Sequence, residues 1–131
     1  MPKLIGSPTQ ISSVGNKPKL CDEYVGVVNT GEARLSITSV RSPAGWQGVA
    51  QYGEYDEYRL VLNGMLRVEY EGGQIDAQAG QALHVLPLEW VRFSTPNEDG
   101  AEYINICTPA FSSATIHRDK RATSHAPALV R

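Results

Sequence analysis

The sequence is poor in residues that support disulfide, metal or nucleic-acid chemistry. Its 131 residues include two cysteines and three histidines. Cys21 and Cys107 lie far apart and form no CxxC motif, so two reduced thiols are expected, with one disulfide left open as the alternative. The net charge of −2 provides no basic surface for a phosphate backbone. No nucleic-acid partner is therefore expected.

Long apolar runs and signal-like segments are lacking as well. No stretch of the sequence reaches the roughly 18 apolar residues that a membrane span requires. No charged start precedes an apolar segment, so a secretory signal is not expected either. These features predict a cytoplasmic protein with no membrane partner. At this length, and with 41% hydrophobic residues, the chain is expected to form one domain with a single core.

The sequence does contain a series of short runs in which apolar and polar residues alternate, the pattern of half-buried β-strands. Asn63-Gly64 separates two such runs and predicts a hairpin turn, because both residues tolerate a positive φ. Glu71-Gly72-Gly73 and Ala79-Gly80 predict further turns. The segment 17–28 is expected to add an edge strand. The other predicted strands are 34–40, 58–62, 65–70, 74–76, 81–86, 90–94 and 102–107.

Short strands separated by turn residues predict an all-β fold, either an antiparallel sandwich or a barrel. The predicted barrel core covers about residues 20–110 of a single domain, 1–131. Residues 1–16 are expected to form an arm and residues 111–131 a partly ordered tail. No role is assigned to the two histidines of that tail, His117 and His125.

Two stretches of the sequence carry a recognisable motif pattern. GWQGVAQYGEYDEYRLVLNG contains Gly45, Gln51, Gly53, Glu57 and Gly64, and DEYRLVLNGMLRVEYEGG extends that stretch. The second begins at Gly80 and includes VLPLEWVRF. Over about residues 35–110, these segments resemble the two motifs of the cupin family. The resemblance implies a cupin-type double-stranded β-helix, which is a jelly-roll barrel.

The resemblance also implies a depleted metal site. Gln51 and Gly53 stand where the family has two histidines, and alignment of the second motif places Val91 at the third. Only Glu57 remains of the four family ligands. A first-row metal site generally needs three imidazole or carboxylate donors, so no metal and no other cofactor are expected. A shifted site that uses His84 with Glu54 or Glu57 stays open as an alternative.

Residues two apart on a strand share a face, so Glu57 and Arg59 are expected to point into the barrel together. Arg59 would keep the carboxylate ionised and could clamp a substrate carboxylate or enolate. A buried ion pair that satisfies only itself is the alternative. His84 is a candidate general acid or base near neutral pH, although packed core histidines are commoner. The predicted catalytic residues are therefore Glu57, Arg59 and His84.

Further polar and aromatic side chains are candidates for binding a ligand. Gln51 projects from a ligand position of the family, and an asparagine such as Asn105 needs polar partners inside a barrel. Cys107 is expected to be a small buried hydrophobe rather than a nucleophile. Aromatic rings near the cavity mouth could stack on a planar ligand or pack in the core. The predicted ligand-binding residues are Gln51, Tyr55, Trp90, Tyr103 and Asn105.

These residues favour a metal-independent cupin that binds a small polar or anionic organic molecule. If it is an enzyme, the reaction is expected to be proton transfer next to a carbonyl, as in an isomerase, epimerase or lyase. Glu57 would be the base, Arg59 the anion stabiliser and His84 the acid. The alternatives are a non-catalytic ligand-binding or sensing barrel and a metal-dependent oxygenase or lyase. The expected assembly is a homodimer formed through an edge strand.

Overall fold

A computed structural model describes residues 1–119 as an all-β fold, which confirms the predicted fold class. These residues include no helix that is long and apolar enough to cross a membrane. The end of the predicted tail, with His125, lies outside the described residues. The strands are β1 (Thr9–Ile11), β2 (Leu20–Val25), β3 (Ser36–Ser42), β4 (Trp46–Gln47), β5 (Gln51–Gly53), β6 (Asp56–Tyr70), β7 (Gly73–Gln78), β8 (Ala82–Val85), β9 (Val91–Thr95), β10 (Ala101–Thr108) and β11 (Ile116–Arg118).

The strands form one antiparallel sheet in which the long strand β6 is the central element. The first half of β6 pairs with β8 and β10. Its second half pairs with β7 and β9. The main path of the sheet runs β1-β2-β3-β10-β6-β9-β5-β11. Because one strand belongs to both halves, the sheet curls around a shared interior, as in a jelly-roll barrel.

Strand β6 runs straight through Asn63 and Gly64, so the hairpin predicted at these residues is wrong. A type I′ turn requires positive φ at both residues, but only Gly64 adopts one, at 76°. The pairing of β6 with β10 instead shifts register here, which marks a bulge. Buried positions are odd-numbered before the bulge, as at Val61, and even-numbered after it, as at Leu66. The bulge therefore passes β6 from one half of the sheet to the other.

The two later turns are confirmed. Tyr70 pairs with Gly73 across a two-residue turn that joins β6 to β7. The turn at residues 79–80 leads from β7 into β8. The predicted edge strand corresponds to β2, but β2 lies between β1 and β3, so its edge position is wrong. The expected arm supplies the true edge strand, β1, and the expected tail supplies β11; the homodimer stays a prediction.

Buried apolar side chains from both halves of the sheet form the main core. Its largest fully buried members include Trp46, Leu66, Phe93 and Tyr103. A smaller cluster joins Tyr55, Cys107 and Ile116, with Phe111 packed against it. The smaller cluster ties strand β11 to β10 and to the residues just before β6. Strand β11 is thereby held at the barrel interior by apolar packing.

Candidate functional site

A cavity of about 70 Å³ lies inside the barrel. Strand β6 contributes Glu57 and Arg59 to its lining, β5 contributes Gln51 and β10 contributes Asn105. Tyr55, just before β6, lines the cavity as well. Alternation along each strand turns these side chains inward and their neighbours outward. Five of the eight predicted site residues thus meet in one cavity.

Glu57 and Arg59 form a buried ion pair in the cavity lining. Arg59 donates from Nε and Nη2 to one carboxylate oxygen, Glu57 Oε2, at 2.9 and 2.6 Å. The side chains of Arg59 and Glu57 are 6% and 5% exposed. Within residues 1–119, no hydrogen bond reaches the second oxygen, Glu57 Oε1. The pair thus leaves one carboxylate oxygen available beside the cavity.

Aromatic rings hold the guanidinium of Arg59 in place. Its central carbon lies 3.5 Å from the centroid of the Phe93 ring, within range of a cation–π interaction. Its Nη1 also donates to the Tyr103 hydroxyl at 3.3 Å. Burial opposes the charge, but the attraction of Glu57 outweighs it and raises the pKa of Arg59. Arg59 is therefore a permanent cation held against Glu57.

Two predicted ligand-binding residues do not line the cavity. Tyr103 is completely buried, and its hydroxyl lies 3.3 Å from the Ser42 hydroxyl, so it supports Arg59 instead. Trp90 packs edge-on against Tyr52, with ring centroids 5.0 Å apart. Direct ligand contact by these two residues in this cavity is therefore not supported by their positions.

His84 lies on the outer surface, so the expectation that it joins Glu57 is wrong. Both of its neighbours within β8 are buried, and strand alternation consequently turns His84 outward. Its ring stacks on Tyr58 with centroids 4.3 Å apart, and its Nε2 lies 2.9 Å from Oδ1 of Asp56. A shifted metal site combining His84 with Glu57 is wrong for the same reason, because the two residues face opposite sides of the sheet.

The positions at which cupins hold a metal do not suit one here. Gln51 offers only an amide and Val91 no donor, while a guanidinium already holds Glu57. A Cβ added at Gly53 would lie 2.3 Å from the Tyr55 ring, so a larger residue there would displace that ring. In the described part of the chain, no three His, Cys, Asp or Glu residues are grouped to hold a metal. The expected absence of a metal or other cofactor stays a prediction.

Burial keeps three weakly acidic groups around the cavity protonated. It raises the pKa of the Tyr55 hydroxyl, and the negative charge of Glu57 raises it further. Burial also raises the pKa of the Cys21 and Cys107 thiols. Both cysteines are free and buried. At neutral pH the thiols are therefore poor nucleophiles, and the Tyr55 phenol stays protonated.

Two cations of the cavity lining, Lys19 and Arg118, are not among the residues that the sequence predicts. Arg118 belongs to β11 and pairs in register with Gln51 of β5. Lys19 Nζ lies 3.9 Å from the centroid of the Trp46 ring. The only sequence signal for Arg118 is a three-residue alternation in the expected tail, which is too short to predict a strand.

Comparison with known proteins supports the fold more strongly than any activity. No protein-family model matches the chain. The endoribonuclease YbeY of Myxococcus xanthus (strain DK1622) is 30% identical over 101 residues, which are 77% of this chain and 34% of that protein. The match thus spans about a third of that curated relative's length, and it does not extend the relative's activity to this chain.

Two solved structures align along most of the chain. Streptomyces Pac13, a nucleoside dehydratase, aligns with a TM-score of 0.69 at 12% identity over 91% of this chain and 90% of its own. The polyketide cyclase RemF of Streptomyces resistomycificus aligns with a TM-score of 0.70 at 10% identity over 90% and 84%. Identities this low show the fold alone. The chain therefore has the fold of the cupin-type β-barrels.

Proposed function

We propose that the barrel binds a small polar organic molecule in its cavity and that Glu57 transfers a proton on this molecule without a metal. One observation carries the proposal. Arg59 donates two hydrogen bonds to Oε2 of the buried Glu57 carboxylate, while Oε1 accepts none within the described residues. A positioned carboxylate oxygen that adjoins a cavity is the arrangement a general base requires.

In the proposed reaction, Glu57 Oε1 accepts a proton from a ligand carbon that lies next to a carbonyl. The C–H electron pair moves into the carbonyl system and forms an enolate. The amide groups of Gln51 and Asn105 can donate hydrogen bonds to the enolate oxygen. Return of the proton to another carbon or face completes an isomerisation or epimerisation, while departure of a neighbouring group completes an elimination. Arg59 acts by positioning Glu57.

Tyr55 takes the acid role that the sequence predicts for His84. Tyr55 lines the cavity, whereas His84 lies outside it. The raised pKa of Tyr55 keeps its phenol protonated at neutral pH. In the elimination, the phenol can protonate the departing oxygen, and the proton that Glu57 took from carbon then returns to the Tyr55 phenolate. In the isomerisation, Tyr55 protonates the enolate oxygen and takes the same proton back when Glu57 protonates carbon.

The proposal is tested by following proton–deuterium exchange in D2O with NMR, using pyruvate, 2-oxobutyrate and acetone as probes. The protein is expected to accelerate exchange next to the carbonyl of at least one probe. Glu57→Gln keeps the side-chain shape but removes the base, so exchange should fall at least about 100-fold. Asp56→Asn is the matched control, because Asp56 lies on the same strand but faces outward.

Two results would contradict proton transfer by Glu57. Equal exchange in the wild type and Glu57→Gln would remove Glu57 from the role of base. Saturable binding of the probes without any acceleration of exchange would instead support a non-catalytic ligand-binding barrel. That alternative uses the same ion pair, because the Glu57 carboxylate held by Arg59 can accept a hydrogen bond from a ligand without removing a proton from carbon.

A further inference from the structure

Arg118 differs from every other arginine in the described part of the chain. The other five arginines of residues 1–119 each form a salt bridge with a carboxylate. Among these residues Arg118 forms none, and its Nε is buried without a hydrogen-bond partner there. A buried donor without a partner is rare in folded proteins and calls for an explanation. The five paired arginines are Arg34, Arg41, Arg59, Arg67 and Arg92.

Arg118 lies in the cavity wall, together with two other donors for which residues 1–119 supply no acceptor. Lys19 lines the same cavity and forms no salt bridge within residues 1–119. Trp46 lines it as well, and its buried Nε1 finds no hydrogen-bond acceptor in the described part of the chain. The cavity lining thus contains several N–H groups for which the described residues provide no acceptor.

The charges that line the cavity do not balance. Glu57 is the single carboxylate among the described lining residues, and Arg59 already neutralises it. Lys19 and Arg118 are left as excess positive charges. Burial lowers the pKa of Arg118 more than the nearby Tyr55 raises it, and no carboxylate of residues 1–119 offsets the effect of burial. A guanidinium without its full hydration or a counter-charge destabilises the fold, so a bound anion would relieve that cost.

We infer that Arg118 and Lys19 form an anion subsite in the cavity, so that the ligand carries a carboxylate or phosphate group. The inference rests on the proposed binding function of the cavity, but not on proton transfer by Glu57. It narrows the ligand to a small organic acid or phosphate ester whose anionic group contacts Arg118. The remainder of the ligand would then extend toward Glu57, Gln51 and Asn105, where its carbonyl or hydroxyl groups meet polar partners.

The subsite is tested by titrating the protein with propionate, inorganic phosphate or propionamide while recording the arginine Nε–H NMR signals. The Arg118 signal is expected to shift saturably with at least one anion but not with propionamide, the neutral analogue of propionate. Tighter binding of propionate would identify the anionic group of the ligand as a carboxylate, and tighter binding of inorganic phosphate would identify it as a phosphate. Arg118→Met should weaken that binding at least about tenfold, and Arg118→Lys should retain part of it. Arg67→Met is the control, because Arg67 lies on the outer surface.

Thermal unfolding supplies a second readout that a purely structural arginine would not produce. Without anion, Arg118→Met should match or exceed the wild type in stability, because it removes an uncompensated cation. Addition of the anion should raise the midpoint of the wild type alone. An anion response that persists in Arg118→Met, or an equal response to propionamide, would overturn the subsite. Glu57→Gln should keep the anion response, which separates failure of the subsite from failure of the proposed proton transfer.

Discussion

The two faces of strand β6 carry similar groups in opposite environments. On the inner face, the side chains of Glu57 and Arg59 are 5% and 6% exposed. On the outer face, Asp56 pairs with His84, and their side chains are 39% and 43% exposed. Water screens the outer pair, whereas burial makes the loss of one inner partner costly. A shift of one residue along the strand therefore separates a cavity site from an exposed hydrogen-bonded pair.

The largest expected effect comes from breaking the inner pair. Arg59→Met leaves the buried carboxylate of Glu57 without its counter-charge, which should destabilise the fold by about 3–5 kcal/mol. The free energy of unfolding, measured by urea denaturation at neutral pH, checks this value.

The double variant Glu57→Gln with Arg59→Met is the control for the inner pair. It removes both charges, so it should recover much of the lost stability. If the single variant lost less than about 1 kcal/mol, the pair would behave like a surface ion pair, and the contrast between the two faces would fail.

A smaller loss of stability is expected from a substitution at the bulge of β6, where the buried side of the strand changes. Gly64 adopts a φ of 76°, and a Cβ there would lie 2.1 Å from the carbonyl oxygen of Gly100. Gly64→Ala should therefore destabilise the fold by more than the about 1 kcal/mol that a left-handed conformation alone costs. Gly80→Ala is the matched control, since Gly80 also has positive φ but no atom within 4 Å of an added Cβ. Equal losses in urea denaturation would show that the close approach at Gly64 adds nothing.

The smallest effect is expected at an outer ion pair. Arg67, on the outer face of β6, donates hydrogen bonds to Asp76 and thereby lowers the pKa of that carboxyl. Because the pKa of Asp76 is lower in the folded state than in the unfolded state, its ionised form stabilises the fold at any pH above the unfolded-state pKa. This contribution is lost as the pH falls through the folded-state pKa. Asp76→Asn should thus cost only about 0.2–1 kcal/mol at neutral pH. Urea denaturation should show this difference shrinking in acid below about pH 4; a difference that is constant with pH would contradict it.

Local sequence patterns predicted the strands well where alternation was long. They placed Glu57 and Arg59 on one face, because that relation needs only two residues of spacing on one strand. They failed at Asn63-Gly64. This dipeptide favours a hairpin turn, but the chain does not turn there. The two halves of β6 pair with different strands, and these pairings hold the chain extended through a site that would otherwise favour a hairpin.

The errors at His84 and Arg118 have a common cause. Alternation shows that His84 shares a face with Ala82 and Leu86, but it does not show which face is inside. That choice depends on the pairing of β8 with β6. Arg118 reaches the cavity through three residues that pair with β5, more than sixty residues earlier in the chain. No local pattern of that length distinguishes a strand from a loop.

The sequence by itself determined the all-β class and most strand positions. Each of these follows from residue type or from a period of two along one segment. Tertiary structure alone decided which residues line the cavity, turned His84 outward and brought in Arg118. The physical reason is that the curvature of the sheet decides which face of each strand lies inside the barrel. That curvature depends on pairing between strands that are distant in sequence, so a local hydrophobic period does not predict it.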